Sequence, residues 1–569
     1  MNSENNLFPK KRDISKVAQN ILKKRYYSSG ESTWEDIVNR VIEWVIPDTP
    51  TKEKEYTRQM MLNTYFIPNS PCLVNSGKPE GGLSACFVVD FPDTIEGIYK
   101  TKLDFALIAR KGGGCGTSLS QIRPEGASVA GSTHGYAGGP IKFADTISHD
   151  AEALTQAGFR AMAIMFTQSV YHPDILKFIN AKTEEGRIAN ANISVTVDDA
   201  FMKAVVADDK YWTRFKGKKY EEYRARDIFE MIIEGMWKNG EPGMLFYDRI
   251  NNSPYKYAGE ELTATNPCSE QPLSPNGSCN LGSIDVSKFL DENKDFEWDK
   301  FEIAIRLGMR FLDSVIDRGS FPTEDIATWA KEHRAVGLGI MGYADLLLMK
   351  EIAYGSEKAL SLLESILDFM DKISVNESER MGKEYGIPVK CQGLPVLRRN
   401  ITTTTIAPTG TISLLAGTSS GIEPVFSEIT IRNDKTGTYT FENDLASKDY
   451  FRCAVSSNGT KEVTWEEHVD TLAAAQRYIQ SGVSKTVNFP NNTKRETISN
   501  AVIKAWQEGC KGVAVYRNGS RKVEVLSPKN VQKELCPICG KEMVKINGKN
   551  RCIFCSKENI IENTSTYYD

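Results

Sequence analysis

Three polar residues alternate in the segment Asn266-Pro-Cys268-Ser-Glu270. If this segment is extended, the side chains at 266, 268 and 270 point to one face of the chain. A thiol between a hydrogen-bonding amide and a carboxylate that can act as a base is a candidate reactive centre. Cys86, in Leu-Ser-Ala-Cys-Phe, and Cys279, in Gly-Ser-Cys-Asn-Leu-Gly, are less telling, because a single cysteine is more often an inert buried thiol.

Four further cysteines form two close pairs near the end of the sequence. The pattern is Cys536-x2-Cys539, then 12 residues, then Cys552-x2-Cys555. Two such pairs can place four thiolates tetrahedrally around Zn²⁺, so the spacing predicts a structural zinc site. A mobile arm that exchanges thiols and disulfides is the alternative, because a Cys-x-x-Cys pair also lowers thiol pKa.

Two glycine-containing segments could approach a ligand through their backbones. Residues 111–117, Lys-Gly-Gly-Gly-Cys-Gly-Thr, lack the Gly-Lys-Thr/Ser ending of a phosphate-binding loop, and they fit a tight turn equally well. Residues 402–413, Thr-Thr-Thr-Thr-Ile-Ala-Pro-Thr-Gly-Thr-Ile-Ser, offer hydroxyl and N–H groups around a glycine, as phosphate-binding nests do. The alternative for this second segment is a β-strand that runs into a turn.

Length and composition describe an ordinary globular protein. The chain has 569 residues, of which 40% are apolar, and its 70 basic and 74 acidic residues give a net charge of −4. A basic excess that would indicate nucleic acid as a partner is lacking. The N-terminal residues carry no apolar core of a secretory signal, and no run of 18 apolar residues occurs. We therefore expect a cytoplasmic protein without a membrane partner, whose 12 cysteines serve redox chemistry or metal binding rather than structural disulfides.

Apolar spacing predicts how the elements follow one another. Helical periodicity begins in residues 12–29 and again after Thr33, which indicates a small N-terminal helical lobe. Helices and strands then alternate, for example the helix from Asp227 to Asn239, the strand-like MLFYDRI, and the helix opened by the capping box Thr464-x-x-Glu467. This alternation predicts an α/β barrel or wound sheet. Residues 521–535 are polar and lysine-rich, which is typical of a linker.

Six motifs occur in one characteristic order. They are NSPCLVNSG (69–77), LSACF (83–87), NPCSE (266–270), SCNLGSI (278–284), RAVGLGIMGYADLL (334–347) and APTGTISLLAGTSSGIEPVF (407–426). The chain resembles the ribonucleotide reductases over about residues 15–525. The resemblance implies a ten-stranded α/β barrel with a central finger loop. Together with the N-terminal helical periodicity and the C-terminal cysteine pattern, it divides the chain into a helical lobe at 1–60, the barrel at 61–525 and a zinc-ribbon-like cysteine cluster and tail at 526–569.

The resemblance also implies catalytic roles. Cys268 would become a transient thiyl radical that abstracts the 3′ hydrogen of a ribonucleotide. Glu270 would take the 3′-hydroxyl proton, and Asn266 would hold the sugar hydroxyls. Cys86 and Cys279 would deliver two electrons and end as a disulfide.

The same resemblance implies binding sites and partners. The substrate, a ribonucleoside di- or triphosphate, would contact Ser70, Ser84, Ala85, Gly114, Pro408, Thr409, Gly410, Thr411, Ile412 and Ser413. A deoxynucleoside triphosphate effector would contact Asp93 and Arg123, usually at the interface of a homodimer. Gln156 and Arg160 would link the effector to the substrate base. The reductant would be a protein of the thioredoxin or glutaredoxin kind, and no overall-activity domain is evident.

The radical generator distinguishes the classes of this family. KGVAVYRNGSR (511–521) resembles the closing strand of the class II enzymes, which use adenosylcobalamin, and it carries the single Tyr516. Class I enzymes need a tyrosine pair on that strand and a second, metal-containing subunit; Tyr567 and Tyr568 are adjacent but lie in the polar tail. Class III enzymes carry a glycyl-radical sequence that does not follow Cys555. We therefore expect class II, with a class I catalytic subunit as the alternative.

A function of another kind is also possible. The chain could be a nucleotide-binding regulator or a nucleic-acid-binding zinc ribbon that uses the barrel only as a scaffold. The set of five catalytic residues and the near-neutral charge argue against it.

Overall fold

The computed structural model describes most of the chain. The described residues are 6–129, 135–156, 160–182, 187–434, 437–456, 459–520, 526–528, 544–546 and 549–551. The α-helices are α1 Lys16–Arg25, α2 Trp34–Val45, α3 Thr51–Leu62, α4 Ser70–Asn75, α5 Ile95–Arg110, α6 Pro140–Ala153, α7 Ile175–Ile179, α8 Asp199–Ala207, α9 Ala225–Asn239, α10 Tyr247–Asn251, α11 Trp298–Arg318, α12 Glu324–His333, α13 Tyr343–Met349, α14 Glu357–Tyr385, α15 Ile412–Ala416, α16 Trp465–Gln476 and α17 Arg495–Gln507. The strands are β1 Phe66–Pro68, β2 Cys86–Val88, β3 Gly114–Ser118, β4 Thr155–Gln156, β5 Arg160–Ala161, β6 Ile164–Ser169, β7 Ala191–Val197, β8 Lys210–Phe215, β9 Lys218–Arg224, β10 Gly243–Phe246, β11 Ala264–Thr265, β12 Pro272–Leu273, β13 Gly277–Asp285, β14 Val336–Met341, β15 Ile429–Asp434, β16 Gly437–Glu442, β17 Thr486–Phe489, β18 Gly512–Arg517, β19 Leu526–Pro528, β20 Val544–Ile546 and β21 Lys549–Arg551.

The N-terminal helices form as their sequence pattern predicts. Helix α2 begins at a capping box in which Thr33 accepts a hydrogen bond from the Asp36 N–H and the Asp36 side chain accepts one from the Thr33 N–H. Its apolar residues recur at helical spacing and are buried. Helix α16 has the same kind of box, formed by Thr464 and Glu467. The predicted helix starts at Thr33 and Thr464 are therefore confirmed.

Ten strands form one sheet, in which most neighbours are parallel. Strands β2, β3, β6, β7 and β10 follow one another as parallel neighbours. Strands β18 and β17 are parallel to each other, as are β13 and β14. The group of five meets each of these two pairs at an antiparallel junction: β2 pairs with β13, and β10 pairs with β18. Strand β1 adds to β13 in the antiparallel sense.

Residues 402–406 lie between the two ends of this sheet. Leu338 of β14 donates its N–H to Thr403 O and accepts from the Thr405 N–H. On the other side, the Ile406 N–H donates to Gly482 O, ahead of β17. Both bridges are parallel. The segment thus hydrogen-bonds to β14 and to the chain that leads into β17.

A short hairpin crosses the inside of the sheet. Strands β11 and β12 pair antiparallel, with Ala264 opposite Leu273, and residues 266–271 form the connecting loop. Thr265 O lies so close to β3 that a Cβ added at Gly116 would be 1.8 Å from it. Within residues 111–117, a glycine is therefore needed at position 116, because another part of the chain lies too close for a side chain.

Two sequence predictions need correction. In MLFYDRI only the first three residues belong to a strand, β10, because the helix α10 begins at Tyr247. The predicted linker at 521–535 is wrong at Leu526–Pro528, which form β19 and pair with β15 through Thr430–Pro528. Three consecutive ladder positions hold this part of the chain to the body of the protein.

Candidate active site

Cys86 and Cys279 lie directly opposite each other on the antiparallel strands β2 and β13. Both thiols are buried, with 3% and 1% of the residue exposed. Residues directly opposite on such strands have Cα atoms about 4.5–5.5 Å apart, which is a separation that a disulfide can span. The structure therefore brings together the two cysteines that the sequence motifs suggest as the redox pair.

The loop that carries Cys268 is a tight turn and not an extended segment. The Ser269 N–H donates to Asn266 O at 3.0 Å, and Ser269 has a φ of +67°. The Asn266 side chain closes the loop, because its Oδ1 accepts the Gln271 N–H at 2.9 Å. The prediction of one shared face by alternation is wrong: Asn266 and Glu270 are buried, whereas Cys268 is exposed.

Cys86 is the point at which the predicted catalytic residues meet. Asn266 Nδ2 donates a hydrogen bond to Cys86 Sγ at 3.2 Å, and the Cys86 thiol donates to Glu270 Oε1 at 3.7 Å. Burial, and then the negative charge of Glu270, raise the pKa of the Cys86 thiol well above its ordinary value. The same two causes raise the pKa of Cys279. Both thiols therefore keep their protons at neutral pH.

Cys268 lines a cavity on the other side of the loop. The cavity has a volume of about 80 Å³ and lies among residues of β7, β10, β17 and β18. Its lining includes the hydroxyl-bearing Ser194, Ser484 and Thr486. Cys268 also contributes to the raised pKa of Cys86, so this exposed thiol lies near the buried pair.

Residues outside the motifs hold this loop in place. The Gly482 N–H donates to Glu270 O at 2.8 Å, and Thr405 Oγ1 donates to the same oxygen at 2.9 Å. Asn192 Nδ2 donates to Pro267 O at 2.9 Å. Because these contacts join distant parts of the chain, residue spacing in the sequence gives no sign of them.

The segment around Thr409 has the form of an anion-binding nest. Its own loop is fixed by the Thr409 hydroxyl, which accepts the Gly421 N–H at 2.9 Å. Among the described residues, the N–H groups of Gly410, Thr411 and Ile412 have no protein acceptor. Three adjacent unpaired N–H groups favour an anionic ligand. Pro408 precedes them by two residues, and Ile412 and Ser413 are the first two residues of α15.

The other predicted substrate residues lie beside the dithiol. Ser84 and Ala85 directly precede Cys86, and the Ala85 N–H donates to Cys279 O at 3.3 Å. Gly114 is the register partner of Cys86 on β3, and a Cβ added there would lie 2.9 Å from Pro267 Cγ. Ser70 is the first residue of α4. These residues and the loop 266–271 therefore surround one region.

The predicted effector residues Asp93 and Arg123 form an ion pair. Arg123 Nε lies 3.0 Å from Asp93 Oδ1. Burial alone would raise the pKa of Asp93, but hydrogen bonds from Arg123 and Lys216 lower it below its ordinary value. Asp93 also lines a surface cleft of about 520 Å³ with Arg214 and Lys216 of the β8–β9 hairpin, which the sequence did not indicate.

The remaining predicted site residues are described in part or not at all. Gln156 and Arg160 are opposite each other on the paired strands β4 and β5. The four C-terminal cysteines, Cys536, Cys539, Cys552 and Cys555, lie outside the described residues. Within the described part of the chain, no group of three or more potential metal ligands occurs. None of the described helices combines the length and apolar character that crossing a membrane requires.

The comparisons with known proteins agree on one protein family. The family "Ribonucleotide reductase, barrel domain" matches residues 84–393, 397–450 and 442–516. A Thermoplasma acidophilum protein named vitamin B12-dependent ribonucleoside-diphosphate reductase is 38% identical over 507 residues, which are 82% of this chain and 66% of that protein. A Mycobacterium tuberculosis protein of the same name is 34% identical over 516 residues, which are 84% of this chain and 74% of that protein. The solved structure of the Actinobacillus ureae class Id ribonucleotide reductase alpha subunit has a TM-score of 0.76 at 21% identity and covers 90% of this chain and 98% of that one.

Proposed function

The chain belongs to the ribonucleotide reductase family, and we propose that it reduces ribonucleotides to 2′-deoxyribonucleotides, the precursors of DNA. The observation that carries this proposal is the position of Cys86, opposite Cys279 and in contact with Asn266 and Glu270. Reduction at C2′ needs a dithiol that supplies two electrons and a base beside it, and the structure brings these groups together.

Each residue has a defined task in this reaction. A thiyl radical on Cys268 takes the 3′ hydrogen of the ribose. Glu270 accepts the 3′-hydroxyl proton while the 2′-hydroxyl leaves as water. Cys86 and Cys279 give up two electrons and two protons, form a disulfide, and the 3′ hydrogen returns from Cys268. The products are one deoxyribonucleotide, one water and one disulfide.

The raised pKa of the two buried thiols suits their task. A thiol that keeps its proton can deliver a hydrogen atom, whereas a thiolate can deliver only an electron. Burial and Glu270 favour the protonated form of Cys86. Asn266 is partly committed, because its Oδ1 accepts the Gln271 N–H and its Nδ2 donates one hydrogen to Cys86. The second Nδ2 hydrogen is the one that would bind a sugar hydroxyl.

We propose adenosylcobalamin as the radical source, which makes the protein a class II enzyme. When bound, this cofactor supplies a carbon-centred radical that can oxidise the thiol of Cys268. The Cys268 thiol is exposed to such a group, and Ser194, Ser484 and Thr486 beside it offer hydroxyls that would hydrogen-bond to polar atoms of the cofactor. The names of the Thermoplasma and Mycobacterium relatives support this choice over a class I subunit.

The strand order supports a closed ten-stranded barrel. Residues 402–406 would be the tenth strand of the ring, between β14 and β17, so that two groups of five parallel strands face each other. The β11–β12 hairpin would be the finger loop inside it. We keep the division into a lobe at 1–60, a barrel at 61–525 and a C-terminal part at 526–569. The pairing of β19 with β15 favours a boundary just after Pro528.

Binding sites for the phosphates and the effector follow from the same geometry. The N–H groups of Gly410, Thr411 and Ile412 would bind the substrate phosphates. The cleft at Asp93 and Lys216 would bind a deoxynucleoside triphosphate. The paired strands that carry Gln156 and Arg160 would couple effector binding to recognition of the substrate base.

We further propose a homodimer that uses helix α5. Ile95, Tyr99 and Leu103 recur every four residues on one face of this helix and are 62%, 60% and 57% exposed. An apolar stripe of this kind favours burial against a partner. Helix α5 begins two residues after Asp93, so the interface would adjoin the effector cleft.

The C-terminal cysteines are assigned two roles. Their spacing supports a zinc site, and a thioredoxin- or glutaredoxin-like reductant would reach the Cys86–Cys279 disulfide through a dithiol on this part of the chain. The two roles compete for the same thiolates.

The function is tested by product formation. Purified full-length protein with adenosylcobalamin, dithiothreitol and each ribonucleoside di- or triphosphate should yield the matching deoxynucleotide, identified by chromatography. Nucleotide binding without any deoxynucleotide would favour the regulatory alternative and contradict the proposal.

A further inference from the structure

Tyr26, at the end of helix α1, contacts a proposed substrate residue. Its hydroxyl lies 2.7 Å from Ser70 Oγ, and the residue is 2% exposed. Ser70 follows Asn69, whose N–H and side-chain amide both donate to Leu281 O, two residues beyond Cys279. Ser70 is therefore fixed on the dithiol side of the site.

The chain just before the same helix contacts α15, the helix that begins in the proposed phosphate nest. Arg12, four residues before α1, donates from its guanidinium to Gly417 O at 2.7 Å. Gly417 is the C-cap of α15, the helix that follows the N–H groups of the proposed phosphate nest. Helix α1 itself packs against α15. One N-terminal segment thus contacts Ser70 and, through Gly417, the far end of the helix that begins in the phosphate nest.

We propose that Tyr26 and Arg12 are positioning residues for the nucleotide substrate. They hold Ser70 and the nest of Gly410 to Ile412 at a fixed separation, so that one nucleotide can contact both through its sugar and its phosphates. The proposal rests on the proposed function, because that function makes Ser70 and the nest substrate contacts.

The hydroxyl of Tyr26 acts separately from its ring. The ring is buried in the core that α1 and α2 share, and Tyr26→Phe keeps that packing. The substitution removes only the group that fixes the rotation of the Ser70 hydroxyl, which otherwise turns freely. Because a fixed donor loses less entropy when a ligand binds, its loss should weaken nucleotide affinity and leave the fold intact.

A double-mutant cycle tests this. Isothermal titration of the full chain with ribonucleoside di- and triphosphates should show an affinity about three- to tenfold lower for Tyr26→Phe. In the Ser70→Ala background the same change should have no further effect, because the partner is already gone. Tyr27→Phe, which alters the adjacent hydroxyl, is the matched control and should bind as the unchanged protein does.

Arg12 is tested separately, with a surface substitution. Arg12→Gln should weaken binding of a diphosphate about threefold or more but leave binding of the nucleoside alone unchanged. Lys10→Gln, at an exposed ion pair with Asp13, is the control. Additive effects of Tyr26→Phe and Ser70→Ala, or an Arg12→Gln loss that is equal for nucleoside and diphosphate, would overturn the proposal. If the unchanged protein bound no ribonucleotide, both the proposed function and the positioning role would fail. If it bound ribonucleotides but the two substitutions had additive effects, only the positioning role would be overturned.

Discussion

Cys86 and Cys279 occupy facing positions on β2 and β13, at one of the two antiparallel junctions between groups of parallel strands. The antiparallel junction gives the pair a short separation without any sequence proximity. Burial, and then the negative charge of Glu270 beside Cys86, raise the pKa of both thiols, so the pair keeps its protons at neutral pH.

The first prediction concerns the pH dependence of these thiols. Their raised pKa means that the thiolate fraction, and with it the rate of alkylation, should still rise about tenfold per pH unit between pH 7 and 9. Glu270→Gln removes a negative charge, lowers the pKa of Cys86 and should speed its labelling by iodoacetamide at a given pH. The rate at each cysteine is read by peptide mass mapping.

Cys510 provides the internal control for that experiment. It is buried, its pKa is raised to about 12, and Glu270 is not among the causes of that shift. Its labelling should be the same in Glu270→Gln as in the unchanged protein. A rate at Cys86 that levels off below pH 9, or that ignores the substitution, would contradict the proposed electrostatic environment.

The second prediction concerns the radical relay. Cys268→Ser should abolish deoxynucleotide formation and leave nucleotide affinity within about twofold, because an O–H bond is too strong for the relay while the change in size is small. Turnover and titration on the same preparation check both halves. Substantial product from this variant would remove Cys268 from its central role.

The third prediction concerns the effector cleft. Lys216→Met should weaken binding of deoxynucleoside triphosphates about three- to tenfold, because a cation near the phosphates is lost, and the effect should shrink as salt is raised. Lys218→Met, two residues along the same hairpin but outside the cleft lining, is the matched control. Equal effector affinity in both variants would place the effector elsewhere.

Local signals in the sequence predict much of the fold. The capping residues Thr33 and Thr464 fixed helix starts correctly, since a cap depends on neighbours in the chain. Alternation did not predict the conformation around Cys268, because Asn266 closes a tight turn with Ser269 and Gln271. Contacts of Gly482 and Thr405 with Glu270 O, from distant parts of the chain, then hold that turn in place.

The candidate site also combines features that local sequence shows with features that only tertiary contacts create. Its chemistry is carried by motifs such as NPCSE, which a sequence shows directly. The residues that complete it, among them Tyr26, Asn192 and Lys216, contribute through single contacts that the tertiary fold creates. Their residue types are common and unremarkable in the sequence, so spacing alone could not identify them.

The fourth prediction concerns the C-terminal cysteines. Truncation after Lys529 removes all four and retains β19, whose pairing with β15 a cut after Val525 would destroy. The truncated, pre-reduced enzyme should complete about one turnover, because its buried dithiol can no longer exchange with a bulky reductant. Dithiothreitol should partly restore cycling. The full-length protein should also bind one Zn²⁺ at the four cysteines, measured by elemental analysis.

A matched variant separates relay from structure. Cys552→Ser with Cys555→Ser keeps the full length and removes one pair. Undiminished thioredoxin-driven turnover in both this variant and the truncated protein would refute the relay and leave the cluster a structural zinc site.

The most direct test of the whole account is reductase activity with adenosylcobalamin as the only added radical source. The purified chain, supplied with ribonucleotide and dithiothreitol but with no second protein, should form deoxynucleotide when the cofactor is present and none when it is omitted. Activity that ignores adenosylcobalamin and appears only with a metal-containing partner subunit would contradict the class II assignment and make this chain a class I catalytic subunit.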